Sequence, residues 1–225
     1  MGIRSPVRYF AIFLSVAYLS QVAYKFFSRR KQEDTRNVIH EVIIFSPLTL
    51  MPKNSKYSRH TITPPMDRLL HYLSTPRETL DICMYVFTSQ EIMNAILKVI
   101  YRGVKVRVIV DADMAFATGS QVRKLEKQGV PVRWMKSTSL MHHKFFLVDV
   151  LCEPPSRAIP LLATGSLNWT AQAMNGNWEG VTVTSEKDLI APYREEFERL
   201  WVQFKPIVPH SPQYTNVARQ ASNRN

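Results

Sequence analysis

With 225 residues, 45% of them hydrophobic and 11% aromatic, the chain can hold one sizeable core with appendages and is too apolar for wholesale disorder. Its only cysteines, Cys83 and Cys152, are too few for a disulfide framework or a cysteine-rich zinc site, and point to a reducing compartment. The net charge of +11 falls in two places: six Lys or Arg and no acid in residues 1–31, and ten bases against Asp111, Asp113 and Glu126 in residues 98–144. The first cluster suits an anionic membrane surface and the second a phosphate backbone.

The first element is YFAIFLSVAYLSQVAY, residues 9–24, an uncharged run bounded by Arg8 and Lys25 and followed by Arg29, Arg30 and Lys31. It falls slightly short of the roughly 20 apolar residues that span a bilayer, unless Phe26 and Phe27 are counted past a snorkelling Lys25. A cleaved signal peptide is the main rival, but the basic cluster lies after the run and no small-residue A-x-A site follows it. A membrane anchor over residues 1–31 is expected, its basic flank keeping the rest of the chain on the cytoplasmic side. A polar linker over 32–38, one folded domain over 39–205 and a loose tail over 206–225 complete the expected organisation.

Within the domain, IHEVIIF predicts a strand, a proline-bearing loop fills 46–65, and residues 66–74 predict a short helix. TLDICMYVF (79–87) predicts a strand apolar on both faces. Thr88 with Glu91 forms a capping-box pattern for a helix through Tyr101, closed by Gly103. VKVRVIVDA is the next strand, a helix near 119–128 ends at Gly129, and VPVRWM follows. This alternation predicts an α/β fold: a mixed β-sheet flanked by helices on both faces. LMHHKFFLVD, an excursion through Glu153, Pro154, Pro155 and Pro160, LLATGSLNWT, EGVTVTS and a long helix over 188–204 complete the domain. No internal repeat is present.

The chemistry gathers late in the chain. If LMHHKFFLVD is a strand, its period of two sets His142 and Lys144 on one face and His143 on the other. A titratable imidazole beside a fixed cation suits an anion such as a phosphodiester, while Asp149, of opposite parity, supports the strand end. In GSLNWT, Gly165 permits a tight strand exit, Ser166 and Asn168 can donate to a phosphoryl oxygen, and Trp169 can wall a pocket. Glu179, eleven residues after Asn168, could hold the far nitrogen of His142 and fix its orientation.

Read together as His-x-Lys-x4-Asp, then Gly-Ser-x-Asn, then Glu, these residues resemble the phospholipase D superfamily. Most of residues 39–204 share the resemblance. Through VKVRVIVDADM, GSQVRKLEKQGV, MHHKFFLVD, GSLNWTAQA and EEFERLW the chain is similar to the mitochondrial cardiolipin hydrolase, or Zucchini, group. The resemblance implies a phospholipase D-like fold and a phosphodiesterase that needs no metal or other cofactor, working through a phosphohistidine. By position, His142 is nucleophile or acid, Lys144 and Asn168 stabilise phosphoryl charge, Glu179 orients the imidazole, and Asp149 and Ser166 support the site. One motif per chain implies a homodimer with the site on its two-fold axis. It also implies a single-pass anchor in the mitochondrial outer membrane, with the catalytic domain facing the cytosol.

Some members of this group carry a small zinc finger after the first strand. Residues 46–65 here offer His60 and no cysteine, so no zinc is expected there. The excursion over 150–158 also looks long for the group. The resemblance supports two substrates: single-stranded RNA, cut during piRNA biogenesis, and cardiolipin, hydrolysed to phosphatidic acid. The basic 98–144 segment favours the nuclease reading, with Lys105, Arg107, Arg123, Lys124 and Arg133 as candidate RNA contacts beside Ser166 and Trp169. An inactive membrane-tethered RNA-binding scaffold is the remaining reading.

Overall fold

Short segments, most of them rich in Val, Ile, Leu and Phe, pair into one eight-stranded sheet, because runs this apolar need cover. The computed structural model describes residues 6–36, 38–49, 51–152 and 158–206. The strands are β1 (His40–Phe45), β2 (Thr79–Met84), β3 (Lys105–Val110), β4 (Val132–Trp134), β5 (Lys144–Val148), β6 (Leu161–Gly165), β7 (Glu179–Thr184) and β8 (Lys205–Pro206). Their spatial order is β1-β7-β6-β5-β2-β3-β4-β8. The strands β2, β3 and β4 run parallel, joined by helical crossovers, and the remaining pairings are antiparallel. The expected mixed sheet is therefore present.

The helices are α1 (Pro6–Arg36), α2 (Pro64–Leu73), α3 (Gln90–Tyr101), α4 (Ala112–Ala115), α5 (Val122–Lys127), α6 (Ala171–Gly176) and α7 (Lys187–Gln203). Strand alternation divides the core in two. Cys83, Ile109, Phe145, Leu147 and Leu162 pack with Ile190, Phe197 and Leu200 of α7. Their neighbours of opposite parity, Ile82, Val108, Phe146 and Ala163, are equally buried on the other face of the sheet.

Several expected boundaries shift. The cap of α3 is Ser89, whose Oγ accepts from the Ile92 N–H at 3.3 Å, one residue later than the expected Thr88. The helix expected near 119–128 is the shorter α5, and a further turn of helix, α4, forms ahead of it directly after β3. The strand expected to begin near Leu140 begins at Lys144, so His142 and His143 lie in the segment that leads into it.

The chain divides into two compact units, residues 1–39 and 40–225. In the first, α1 forms where an anchor was expected and continues through Arg36, so residues 32–36 are helical rather than a linker. Tyr9, Phe10, Ile12, Phe13, Leu14, Leu19 and Phe27 are all exposed on it. Among the described residues, no helix is long and apolar enough to cross a membrane. The centre of the 150–158 excursion and the tail from residue 207 lie outside the described residues.

The end of β6 nearest the sequence motifs depends on Gly165. A methyl group there would stand 1.9 Å from the carbonyl oxygen of Gly180 on the paired strand β7. Gly165→Ala must push β7 away and is expected to cost about 1–3 kcal/mol, typical of overpacking a tight contact. A calorimetric comparison with Gly180→Ala, whose methyl meets only the Ile44 side chain at 3.8 Å, checks this.

Candidate active site

Because β5 is antiparallel to β2 with Lys144 opposite Met84, the start of β5 and the end of β2 share one edge of the sheet. Tyr85, the next residue along, donates its backbone N–H to the carbonyl of His143 at 3.0 Å and so ties the histidine segment to β2. Its ring lies 4.7 Å from the His142 imidazole, centroid to centroid, and 5.1 Å from the Lys144 ammonium. Lys144 Nζ donates to the His142 carbonyl at 2.8 Å. One aromatic ring thus touches both members of the His-x-Lys pair. Burial pushes the Lys144 ammonium below its ordinary range, opposed by the nearby Glu179 carboxylate.

His143 faces the other way, although it precedes the strand whose alternation suggested this. Its Nε2 is 3.2 Å from Glu196 Oε1 on α7, and Glu196 also accepts from Arg199 Nη2 at 2.7 Å. The Arg199 hydrogen bonds, with the His143 contact adding, hold the Glu196 carboxyl below the usual carboxylate range.

Ser166 and Glu179 join the same edge from β6 and β7. The Ser166 hydroxyl donates to Glu179 Oε2 and accepts the Gly180 N–H at 3.2 Å, while Glu179 Oε1 accepts from Asn177 Nδ2 at 3.0 Å. Glu179 is therefore held by Ser166 and Asn177, with no hydrogen bond to His142. Asn168 lies between these residues and α6, and its Oδ1 is buried without a hydrogen-bond partner.

Other expected site residues lie elsewhere. Asp149 is at the opposite end of β5, 2% exposed, where its carboxylate accepts the backbone N–H groups of Arg77, Glu78 and Thr79. Trp169 is 2% exposed with its ring against Phe87 and Phe146, a core position that gives it no wall to offer a substrate. Lys105 begins β3 opposite Thr79, at the Asp149 end. Arg107 pairs with Asp81 and Glu198 at 2.7 and 2.6 Å and lies over Phe197 and Trp201. Arg133 donates to the Trp201 carbonyl and stacks on its ring at 4.4 Å. Both arginines are engaged by α7 and do not reach the site.

Arg123 and Lys124 remain near it. Helix α5 is seated on the segment after Tyr85, with the Gln121 backbone N–H donating to the Phe87 carbonyl at 2.9 Å and its side-chain amide to that of Thr88 at 3.0 Å. Lys124 Nζ donates to Gln90 Oε1 at 2.6 Å, and Arg123 lies over the Phe116 ring.

Sequence reasoning missed Tyr85 and Asn177. The available signal for Tyr85 was its place at the carboxyl end of a strand in a parallel stretch of sheet, where α/β folds gather their ligands. Asn177 had no signal, since its role depends on how β7 meets β6.

A cavity of about 400 Å³ opens beside His142, between the segment 135–143 and the end of α7. Met135, Leu140, Met141, Leu200 and Phe204 give it an apolar lining, and His143, Glu196 and Arg199 a polar side.

The family model described as the PLD-like domain of cardiolipin synthase matches residues 69–201. A mitochondrial cardiolipin hydrolase of Danio rerio is 36% identical over 203 residues, 85% of this chain and 86% of its own length. One from Drosophila melanogaster is 30% identical over 223 residues, covering 86% and 88%. The human protein of that name is 40% identical over 141 residues, which span 63% of this chain and 52% of the human one. For its Chlamydomonas reinhardtii counterpart the matched share of the relative is 64%. Among solved structures, the phospholipase D family member Nuc from Salmonella typhimurium matches with a TM-score of 0.61 at 20% identity, covering 77% of this chain and all of Nuc. NucT from Helicobacter pylori gives 0.60 at 19%, covering 76% of this chain and all of NucT. The fold, the edge where His142, Lys144, Ser166 and Glu179 meet, and these likenesses agree: the chain belongs to the phospholipase D superfamily, in the mitochondrial cardiolipin hydrolase group.

Proposed function

We propose that this protein hydrolyses phosphodiesters with a histidine nucleophile and that its principal substrate is single-stranded RNA. The observation that carries the reading is the meeting of His142, Lys144, Ser166 and Glu179 at one sheet edge, beside the exposed bases of α5. The neutral His142 imidazole attacks phosphorus, forming a P–N bond as the P–O bond to the leaving group breaks. A second, protonated imidazole gives its proton to that oxygen, then takes one from the water that hydrolyses the phosphohistidine. Lys144 and the Asn168 amide offset the charge that develops on the phosphoryl oxygens. None of these steps calls for a metal ion.

The second imidazole comes from another copy of the chain. Of the other histidines in the same chain, His143 faces Glu196, and His40 and His71 hydrogen-bond Thr184 and Tyr57, so none of these three is turned to His142. A two-fold axis at this edge sets His142 of one copy opposite His142 of the next, which makes the homodimer part of the mechanism. The exposed apolar side chains of α1, with the bases that follow them, support attachment to a membrane. The names of the relatives support a mitochondrial address. Attachment at the outer surface with the domain in the cytosol would suit RNA, and piRNA precursors in particular.

A second reading, hydrolysis of cardiolipin, is favoured by the apolar cavity beside His142 and by the relatives' names. The test offers the full-length protein single-stranded RNA and cardiolipin vesicles side by side, with and without a chelator. Chelator-resistant RNA cleavage is expected. Turnover of the vesicles alone would give the enzyme to the lipid, turnover of neither would leave the scaffold reading, and loss restored only by a divalent metal would overturn the metal-free steps.

A further inference from the structure

His142 is the nucleophile of the reading above, yet no strand holds it. The ladder of β5 begins at Lys144, opposite Met84, and residues 135–140, which lead towards it from β4, are all exposed. A reacting group displaced by about 1 Å can lose about 10²-fold in rate, so the imidazole needs a fixed backbone beneath it. Sheet pairing does not supply one at residue 142.

The backbone is instead gripped on either side of that residue. Behind it, the His143 carbonyl accepts from the Tyr85 N–H at 3.0 Å. Ahead of it, the Met141 N–H donates to Asp111 Oδ2 at 3.1 Å. The Met141 side chain is buried in the core, its Sδ 3.3 Å from Cys83 Sγ, so this residue is where the exposed connection first becomes anchored. Asp111 follows β3 directly, as Tyr85 follows β2, and both therefore reach the histidine segment from the carboxyl ends of paired parallel strands.

Asp111 also has a plainer duty. It is the N-cap of α4, where its Oδ1 accepts the Asp113 N–H at 3.0 Å and the Met114 N–H at 3.3 Å. That duty does not by itself explain an aspartate, because a serine caps a helix about as well with a single oxygen. The second oxygen is spent 30 residues along the chain, on Met141. Asp111 is 6% exposed, and a carboxylate accepting backbone N–H groups away from water makes shorter and stronger bonds than a neutral acceptor would. One oxygen serves the fold of α4, and the other serves the segment that carries His142.

We propose that Asp111 is a positioning residue for the reaction: its carboxylate clamps the backbone ahead of His142, as the Tyr85 N–H clamps it behind, and together they aim the imidazole at phosphorus. It acts through the Met141 N–H and not on the substrate. The inference rests on His142 as the nucleophile, and it is the same whether RNA or cardiolipin supplies the phosphodiester.

Three changes to the full-length protein separate the clamp from the cap. Asp111→Ser leaves an oxygen for α4 and none for Met141. Exchanging the Met141 backbone amide for an ester, by incorporating its α-hydroxy acid, removes the N–H and leaves the cap untouched. Asp111→Ala loses clamp and cap together. All three are expected to lower the single-turnover cleavage rate by about 10²-fold, on RNA or on cardiolipin vesicles, whichever the wild type turns over, with substrate affinity within about twofold of wild type. Their melting temperatures should differ, with Asp111→Ala the lowest, because only it gives up the cap. A wild-type rate in the ester variant overturns the clamp and leaves Asp111 a cap only. Rates that follow melting temperature or substrate affinity across the three overturn it as well, in favour of a general structural role. Full activity in His142→Asn, or no cleavage of either substrate by the wild type, overturns the functional reading and the inference with it.

Discussion

Replacing His142 with asparagine is expected to lower phosphodiester cleavage by at least about 10⁴-fold, the scale on which removing a nucleophile acts. The side chain is exposed and packs on the Tyr85 ring, so stability should change by no more than about 0.5 kcal/mol. RNA affinity should also hold, because Lys144, Arg123 and Lys124 remain. A mixing experiment sharpens the prediction. If one His142 attacks while its counterpart from a second copy donates the proton, a mixed dimer has one role vacant. Equal amounts of wild-type and His142→Asn chains, exchanged to equilibrium, should then retain about one quarter of the activity, since only wild-type pairs turn over. A value near one half would mean that each copy works alone, and full activity in the variant would remove His142 from the chemistry.

Much of this site could be read along the chain because its grammar is local. A period of two separates His142 and Lys144 from His143, and Tyr85 on one side with Glu196 on the other bears out that division. Gly165 was legible as a tight exit, though the reason, the approach of the Gly180 carbonyl, belongs to β7. What could not be read is where a side chain's partner comes from. Arg107 and Arg133 count as free positive charge in a tally, yet both are taken up by α7, whose Glu198 lies 91 residues beyond Arg107. Lys105 follows the same strand pattern and lies at the wrong end of the sheet, since nothing in KVRVIV says which end faces the site. Trp169 was misjudged because an aromatic beside a polar motif suits a pocket wall and a core equally well. The apolar cavity beside His142 was invisible for a similar reason. Met135 and Leu140 meet Leu200 and Phe204 only once α7 has folded back on the sheet.

Asp149 offers the sharpest separation of fold from chemistry. Its position in His-x-Lys-x4-Asp groups it with the catalytic residues, but β5 carries it to the far end of the sheet from Lys144. There its backbone takes φ of +53°, which asparagine and aspartate tolerate better than other side chains. Its carboxylate accepts at 3.0 Å from Arg77, 2.8 Å from Glu78 and 2.9 Å from Thr79, and its own N–H donates to the Thr79 carbonyl at 2.9 Å. The ring of bonds closes the turn into β2, the strand that leads to Tyr85. Asp149→Ala strands three N–H groups around a buried gap and should cost about 3–5 kcal/mol, because charge-assisted bonds are lost and their donors left unpaired. In a chain of this size that lowers the melting temperature by roughly 6–20 °C. Asp149→Asn keeps one oxygen acceptor and the permitted backbone, and should cost about 1–2 kcal/mol. Turnover per folded molecule, measured well below the melting transition, should stay within a few-fold of wild type in the asparagine variant. Should Asp149→Asn abolish turnover at an unchanged melting temperature, the carboxylate would have to act on the reaction from a strand's length away, and the division of labour drawn here between the two ends of β5 would be wrong.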